Sequence, residues 1–223
     1  MLAAVARGLR GLKDSVVFVG GATVDIYVTG PAAEPLRTTD DVDCVVAITN
    51  RVAYYELEET LRGLGFTHPT DDPAAPICRW DFSGISVDVM PMDASVLGFA
   101  NRWHPEGVER AEKRTLPDGL EVAVFTLPYF LASKIEAFLG RGKGDFYGSE
   151  DIEDIVAVID GAEDALEKVH GATDAVRAYI REQVGALLRD DLFVQCVPGH
   201  LGPRAGPLRV ERVLSVLREL AGN

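Results

Sequence analysis

The sequence predicts an α+β fold: a mixed β-sheet flanked by helices over residues 1–125, followed by a C-terminal helical domain over residues 126–223. Three observations predict it. Short β-branched runs punctuated by glycine are confined to the first half, long segments with helical spacing of apolar residues fill the second, and no internal repeat or low-complexity segment interrupts either. A chain with 47% hydrophobic and 26% charged residues has the composition of an ordinary globular protein, and 223 residues suffice for one or two buried cores.

Residues 15–19 (SVVFV) form an apolar run that ends in Gly20-Gly21, which predicts a buried strand, a tight turn and, over ATVDIYV, a short helix. Residues 41–48 (DVDCVVAI) predict a second strand. Tyr54, Leu57, Leu61 and Leu64 then recur at helical spacing and stop at Gly65, so an amphipathic helix over 52–64 follows. The acidic, proline-bearing stretch 70–76 predicts a loop. Residues 77–82 and 84–90 predict paired strands around Ser83-Gly84, and 120–125 (LEVAVF) another strand after Pro117-Asp118-Gly119. Helices are predicted over 128–139, 149–159, 175–188, 191–197 and 208–220. Beyond Ala162 their apolar stripes (Val176, Tyr179, Ile180, Val184, Leu187, Leu188; Val213, Leu214, Leu217, Leu220) mark core elements without chemistry.

Charge excludes one function class. With 22 Lys+Arg against 35 Asp+Glu the net charge is −13, which disfavours broad binding to a phosphate backbone. The apolar runs are too short to cross a membrane, and Arg7, Arg10 and Lys13 break up the N-terminal stretch, so a cytoplasmic protein is expected. Cys44, Cys78 and Cys196 lie far apart in apolar strings and are expected as reduced core thiols.

The informative residues are acidic. In RTTDDVDCVV, Asp41 and Asp43 alternate on a predicted strand, which puts both carboxylates on one face about 7 Å apart while Val42 points the other way. Two acids so placed repel each other unless a cation or water compensates them. In SGISVDVMP, Asp88 interrupts an apolar strand and needs a reason to be there. If the two strands are neighbours, the three acids converge and could hold one or two Mg²⁺ ions against a triphosphate, with Asp88 also placed to accept a proton from an attacking hydroxyl. The strand that ends at Gly20-Gly21 before a helix offers backbone N–H groups and a positive helix end to phosphates. Asp40 is expected to point away from Asp43, at the surface.

In this order, VGGATVDIYV, RTTDDVD and VDVMP resemble the Gly-Gly, Asp-x-Asp and third-acid motifs of the nucleotidyltransferase superfamily related to DNA polymerase beta, and most nearly its AbiEii/AbiGii abortive-infection type, which includes tRNA-modifying toxins. The resemblance spans roughly residues 15–160. It implies a nucleotidyltransferase fold in which Gly20 and Gly21 bind the triphosphate and Asp41, Asp43 and Asp88 hold Mg²⁺. The interval between Gly21 and Asp41 is longer than in minimal superfamily members, as in the AbiEii type, and Arg37 occupies the place of that type's arginine before the acids. As a residue in its own right, Arg37 reads equally as a solvated loop arginine.

In FTLPYFLASKIEAFLGRGKGDFYGSEDIEDIVAVID, Phe130, Lys134 and Phe138 stand at i, i+4 and i+8, so Lys134 lies in or beside an apolar stripe and requires an anionic partner or a snorkelling stem. Ser149 reads as an N-cap, with Glu150, Asp151 and Glu153 in the first helical turn. The resemblance extends here too: Lys134, Arg141, Lys143 and Asp154 match its helix lysine, basic loop and helix-start acid. By that likeness Lys134 neutralises the β- and γ-phosphates. Asp145 and Asp151 stay open as alternatives to Asp154.

Arg102, Arg110, Lys113, Arg114, Arg141 and Lys143 form either a local track for RNA or flanks for the nucleotide, and Trp103-His104 either stacks a base or packs on the sheet. The expected function is Mg²⁺-dependent transfer of a nucleoside monophosphate from a nucleoside triphosphate to an acceptor. By likeness the acceptor is a tRNA 3′ end, with a cognate antitoxin as a possible partner. The alternatives are transfer to a small molecule or protein side chain, and a nucleotide-binding module without turnover.

Overall fold

The computed structural model describes residues 1–12, 15–30, 37–70, 74–142 and 144–222. Helix α1 (Leu2–Gly8) leads into β1 (Val16–Val19), a 3₁₀ turn (Gly21–Thr23), α2 (Val24–Tyr27), β2 (Asp41–Val46), α3 (Arg51–Gly63), β3 (Arg79–Phe82) and β4 (Ile85–Pro91). Two short helices, α4 (Ala94–Leu97) and α5 (His104–Glu109), precede β5 (Glu112–Thr115) and β6 (Glu121–Val124). The rest is helical: α6 (Leu127–Arg141), α7 (Glu150–Gly161), α8 (Ala165–His170), α9 (Asp174–Leu188), α10 (Asp191–His200) and α11 (Pro207–Leu220).

The six strands form one mixed sheet in the order β3-β4-β2-β1-β6-β5. The pairs β2/β4 and β1/β6 are parallel, and the other three are antiparallel. Directly paired residues share a face, so the register sorts the sheet into two sides. Val16, Phe18, Val42, Cys44, Val87 and Val89 fill one side, all but inaccessible to solvent. Helix α3 covers part of it, with the Tyr54 hydroxyl donating to the Val89 carbonyl at 3.4 Å. Asn50 caps that helix by accepting from the Ala53 N–H at 2.9 Å. The opposite side carries Asp41, Asp43 and Asp88.

One strand is shorter than the sequence predicts and one is not predicted at all. The second strand stops at Val46, short of Ile48, because the Ile48 N–H folds back to the Val46 carbonyl at 2.7 Å and takes the chain out of the ladder. Strand β5, of sequence EKRT, lacks any apolar alternation because it is an edge strand, where charged residues keep the open ladder from pairing with another chain. The hairpin around Ser83-Gly84 has both turn residues at positive φ (53° and 78°), the geometry that two-residue loops favour. All three cysteines are free and buried, and burial pushes their thiols up, so they remain protonated.

The chain divides into two compact units, Met1–Thr23 with Thr38–Thr126, and Val24–Arg37 with Leu127–Asn223. The segment after the glycine turn thus groups with the helices, a departure from the division at residue 125. Its reason is local: the N–H groups of Thr29 and Gly30 both donate to the Gly161 carbonyl at the end of α7, at 3.0 and 2.9 Å, and the Tyr27 ring lies 4.7 Å from Phe130 of α6. A Cβ on Gly161 would come within 2.6 Å of Val28, so glycine permits this approach. Among the described residues, no helix is long and apolar enough to cross a membrane.

His104 sits 5% exposed at the start of α5, edge-on to Phe125 at 6.1 Å, with its Nδ1 unpartnered. Burial pushes its pKa down from 6.5 to about 4. The folded chain therefore refuses a proton that the unfolded chain takes up, and stability falls as pH drops from 6.5 towards 4. The difference corresponds to about 3 kcal/mol. Denaturant melts at pH 7 and pH 4.5 are expected to show a smaller acid-side loss for His104→Gln than for wild type; equal losses would remove His104 from the account.

Candidate functional site

The parallel register of β2 and β4 sets Asp43 directly opposite Asp88 and Asp41 opposite Ser86. The three acids therefore meet on one face, and each offers a carboxylate oxygen within 4.8 Å of the other two. Asp88 is the most enclosed, with 13% of its side chain exposed against 37% for Asp41. Asp40 is exposed. The Thr39 hydroxyl donates to Asp41 Oδ1 at 3.1 Å and so orients that carboxylate.

Gly20 closes one side of the cluster. Its φ of 72° is one that side chains resist, and a Cβ there would lie 2.1 Å from Asp43 Oδ2. Only glycine lets the backbone pass this close to the acids. The Gly20 carbonyl accepts from the buried Thr23 hydroxyl at 2.8 Å, which fixes the turn. Gly21 opens the 3₁₀ turn, and the helix that follows is only four residues long. Its dipole is correspondingly small, and the phosphate-binding capacity of this turn rests on backbone N–H groups.

Sequence reasoning missed Arg79. Its guanidinium grips Asp88 with two of its nitrogens, Nε to Oδ1 at 2.8 Å and Nη2 to Oδ2 at 2.7 Å, and Nη2 lies 3.7 Å from Asp41 Oδ2. The signal was present: a two-residue turn at Ser83-Gly84 fixes the register and faces Arg79 with Asp88.

In the helical unit, Lys134 is 7% exposed and its anionic partners are within the same unit. Its ammonium donates to Asp151 Oδ1 at 3.1 Å and lies 2.6 Å from Asp154 Oδ2. Arg141 adds two bonds to Asp151, at 3.2 and 3.1 Å, while Arg37 lies 3.2 Å from Glu150 and 3.6 Å from both Glu153 and Asp154. Burial alone would push the Lys134 pKa down; the carboxylates of Asp154 and Asp151 override it, and the net shift is upward. The Ser149 hydroxyl caps α7 by accepting from the Ile152 N–H at 3.3 Å. Asp145 instead accepts from the Gly148 N–H at 2.9 Å within its own loop. Lys143 lies outside the described residues.

The basic clusters are largely matched by acids. Arg110 pairs with Glu106 at 3.2 Å, Lys113 with Glu121 at 2.9 Å and Arg114 with Glu112 at 2.8 Å. Trp103 is 5% exposed, an aromatic of the core with the Arg102 guanidinium 5.2 Å from its ring centre.

The six-stranded mixed sheet with the helices that follow it matches the nucleotidyltransferase fold. The solved structure of the antibiotic-resistance factor ANT(2'')-Ia is similar over 84% of this chain and 95% of that one, with a TM-score of 0.52 and 16% sequence identity. No family model and no curated protein matches the chain.

Proposed function

We propose that this protein is a Mg²⁺-dependent nucleotidyltransferase, which joins a nucleoside monophosphate from a nucleoside triphosphate to an acceptor and releases pyrophosphate. One observation carries the reading: three carboxylates from two parallel strands meet on one face of a nucleotidyltransferase-type sheet, against a glycine where any Cβ would press into Asp43. Carboxylate oxygens are the ligands a hard divalent cation selects, so Asp41, Asp43 and Asp88 fit Mg²⁺. Bound there, the ion supplies charge stabilisation at the attacking and leaving oxygens. The N–H groups of Gly20 and Gly21 bind phosphate oxygens, Thr39 orients Asp41, and an Asp88 oxygen accepts the proton of the attacking hydroxyl. Lys134 and Asp154 hold the α6–α7 hairpin together, and the proposed phosphate contacts of Lys134, Arg37 and Arg141 require them to share their charge with the acids of α7.

An RNA 3′ end is the acceptor that the motif resemblance favours, with an antitoxin as the corresponding partner. A small-molecule hydroxyl is the second reading. It is favoured by the pairing of Arg110, Lys113 and Arg114 with glutamates, by the net charge of −13 and by the fold likeness to an antibiotic-resistance factor.

Incubation with each nucleoside triphosphate labelled at the α-phosphate, Mg²⁺ and either total RNA or a pool of small hydroxyl compounds separates the two. A discrete labelled RNA band supports the first reading, and label on a small molecule with RNA unlabelled supports the second. Absence of transfer to RNA, small molecules and protein alike would overturn the enzyme proposal.

A further inference from the structure

Arg79 is fixed to the acid cluster by the hairpin itself. The β3–β4 register faces it with Asp88, and its main chain is pinned on both sides: its N–H donates to the Pro76 carbonyl at 2.9 Å, and its carbonyl accepts from His68 Nδ1 at 3.0 Å. The His68 ring rests 3.8 Å from the Trp80 ring, so this anchor is itself held in place. The side chain is differently placed. Arg79 begins the edge strand of the sheet and is 31% exposed, so the guanidinium has solvent to swing into while the backbone stays put.

A planar fork bound to both oxygens of a carboxylate is the strongest of the common side-chain ion pairs. Here it takes one lone pair from each Asp88 oxygen and brings a positive charge to 3.7 Å from Asp41. That is the service a divalent cation would render to three mutually repelling acids.

We propose that Arg79 is a positioning residue that serves as the resident counter-cation of the acid cluster and competes with the divalent ion for Asp88. Loading the metal therefore requires the fork to loosen its grip, and Arg79 sets the metal concentration at which the cluster fills. The inference rests on the metal reading of Asp41, Asp43 and Asp88 given above.

The test is Mn²⁺ binding to the purified full chain without nucleotide, read by electron paramagnetic resonance and competed with Mg²⁺. Arg79→Met is expected to bind Mn²⁺ about tenfold more tightly than wild type. Arg79→Lys, which keeps the charge but loses the fork, is expected to fall between them. Asp43→Asn serves as the control for the site and is expected to lose the binding. If Arg79→Met binds no more tightly while Asp43→Asn still abolishes binding, the competition is refuted and the metal reading stands. Tightening in Arg79→Met with Arg79→Lys equal to wild type also refutes it, since long-range charge alone would then explain the gain. If neither wild type nor Arg79→Met shows saturable Mn²⁺ binding, both inferences fall.

Discussion

Asp43→Asn is expected to reduce nucleotidyl transfer about a thousandfold or more, the scale of losing several kcal/mol of charge stabilisation at the transition state. Asp43 is the acid shared by the two halves of the site: it faces Asp88 across β2 and β4, and it is the one against which Gly20 closes. The fold should survive, since removing one of three clustered negative charges relieves repulsion. A melting temperature equal to or above that of wild type is therefore expected alongside the lost activity. Pyrophosphate release and a thermal melt on the same preparation check both, and activity within tenfold of wild type would remove Asp43 from the reaction.

The second large effect concerns stability. Lys134→Met leaves Asp151 and Asp154, each 5% exposed, without the ammonium between them. Breaking a buried ion pair from one side costs about 3–5 kcal/mol, because the remaining charge stays desolvated and unmatched. Arg141, with its side chain 73% exposed, and Arg37, 3.6 Å from Asp154, offset only part of the loss. Urea unfolding at pH 7 measures the cost. The Lys134→Met, Asp154→Asn double variant is expected to recover part of it, and a single-variant loss under about 1 kcal/mol would show that the cluster is solvated. The sign with pH is fixed by the raised pKa of Lys134. Its contribution is fully present below the ordinary lysine value of 10.5 and is lost as pH rises through the higher folded value.

The two constellations differ in how far the sequence discloses them. Alternation of Asp41 and Asp43 with Val42 and Cys44 shows the acid face directly, because a strand has period two. Convergence with Asp88 depends on strand order, which no local pattern encodes. Arg79 lay within reach of reasoning, since the Ser83-Gly84 turn dictates its register, but an arginine in an apolar strand carries no signal of its own until its partner is known. Lys134 announced the need for a counter-charge by standing between Phe130 and Phe138. Which acids met that need was settled by how α6 packs on α7. The grouping of residues 24–37 with the helices had no sequence signal, because it rests on two backbone N–H groups reaching Gly161. Strand β5 was hidden by the same charges that protect it as an edge.

In the proposed function, the acid cluster and the glycine turn together bind a metal-nucleotide complex. Anomalous scattering from Mn²⁺ in crystals grown with a non-hydrolysable nucleoside triphosphate tests it most directly. A peak is expected about 2.1 Å from carboxylate oxygens of Asp41, Asp43 and Asp88, with the triphosphate against the N–H groups of Gly20 and Gly21. Ordered nucleotide and Mn²⁺ bound away from these residues would contradict it.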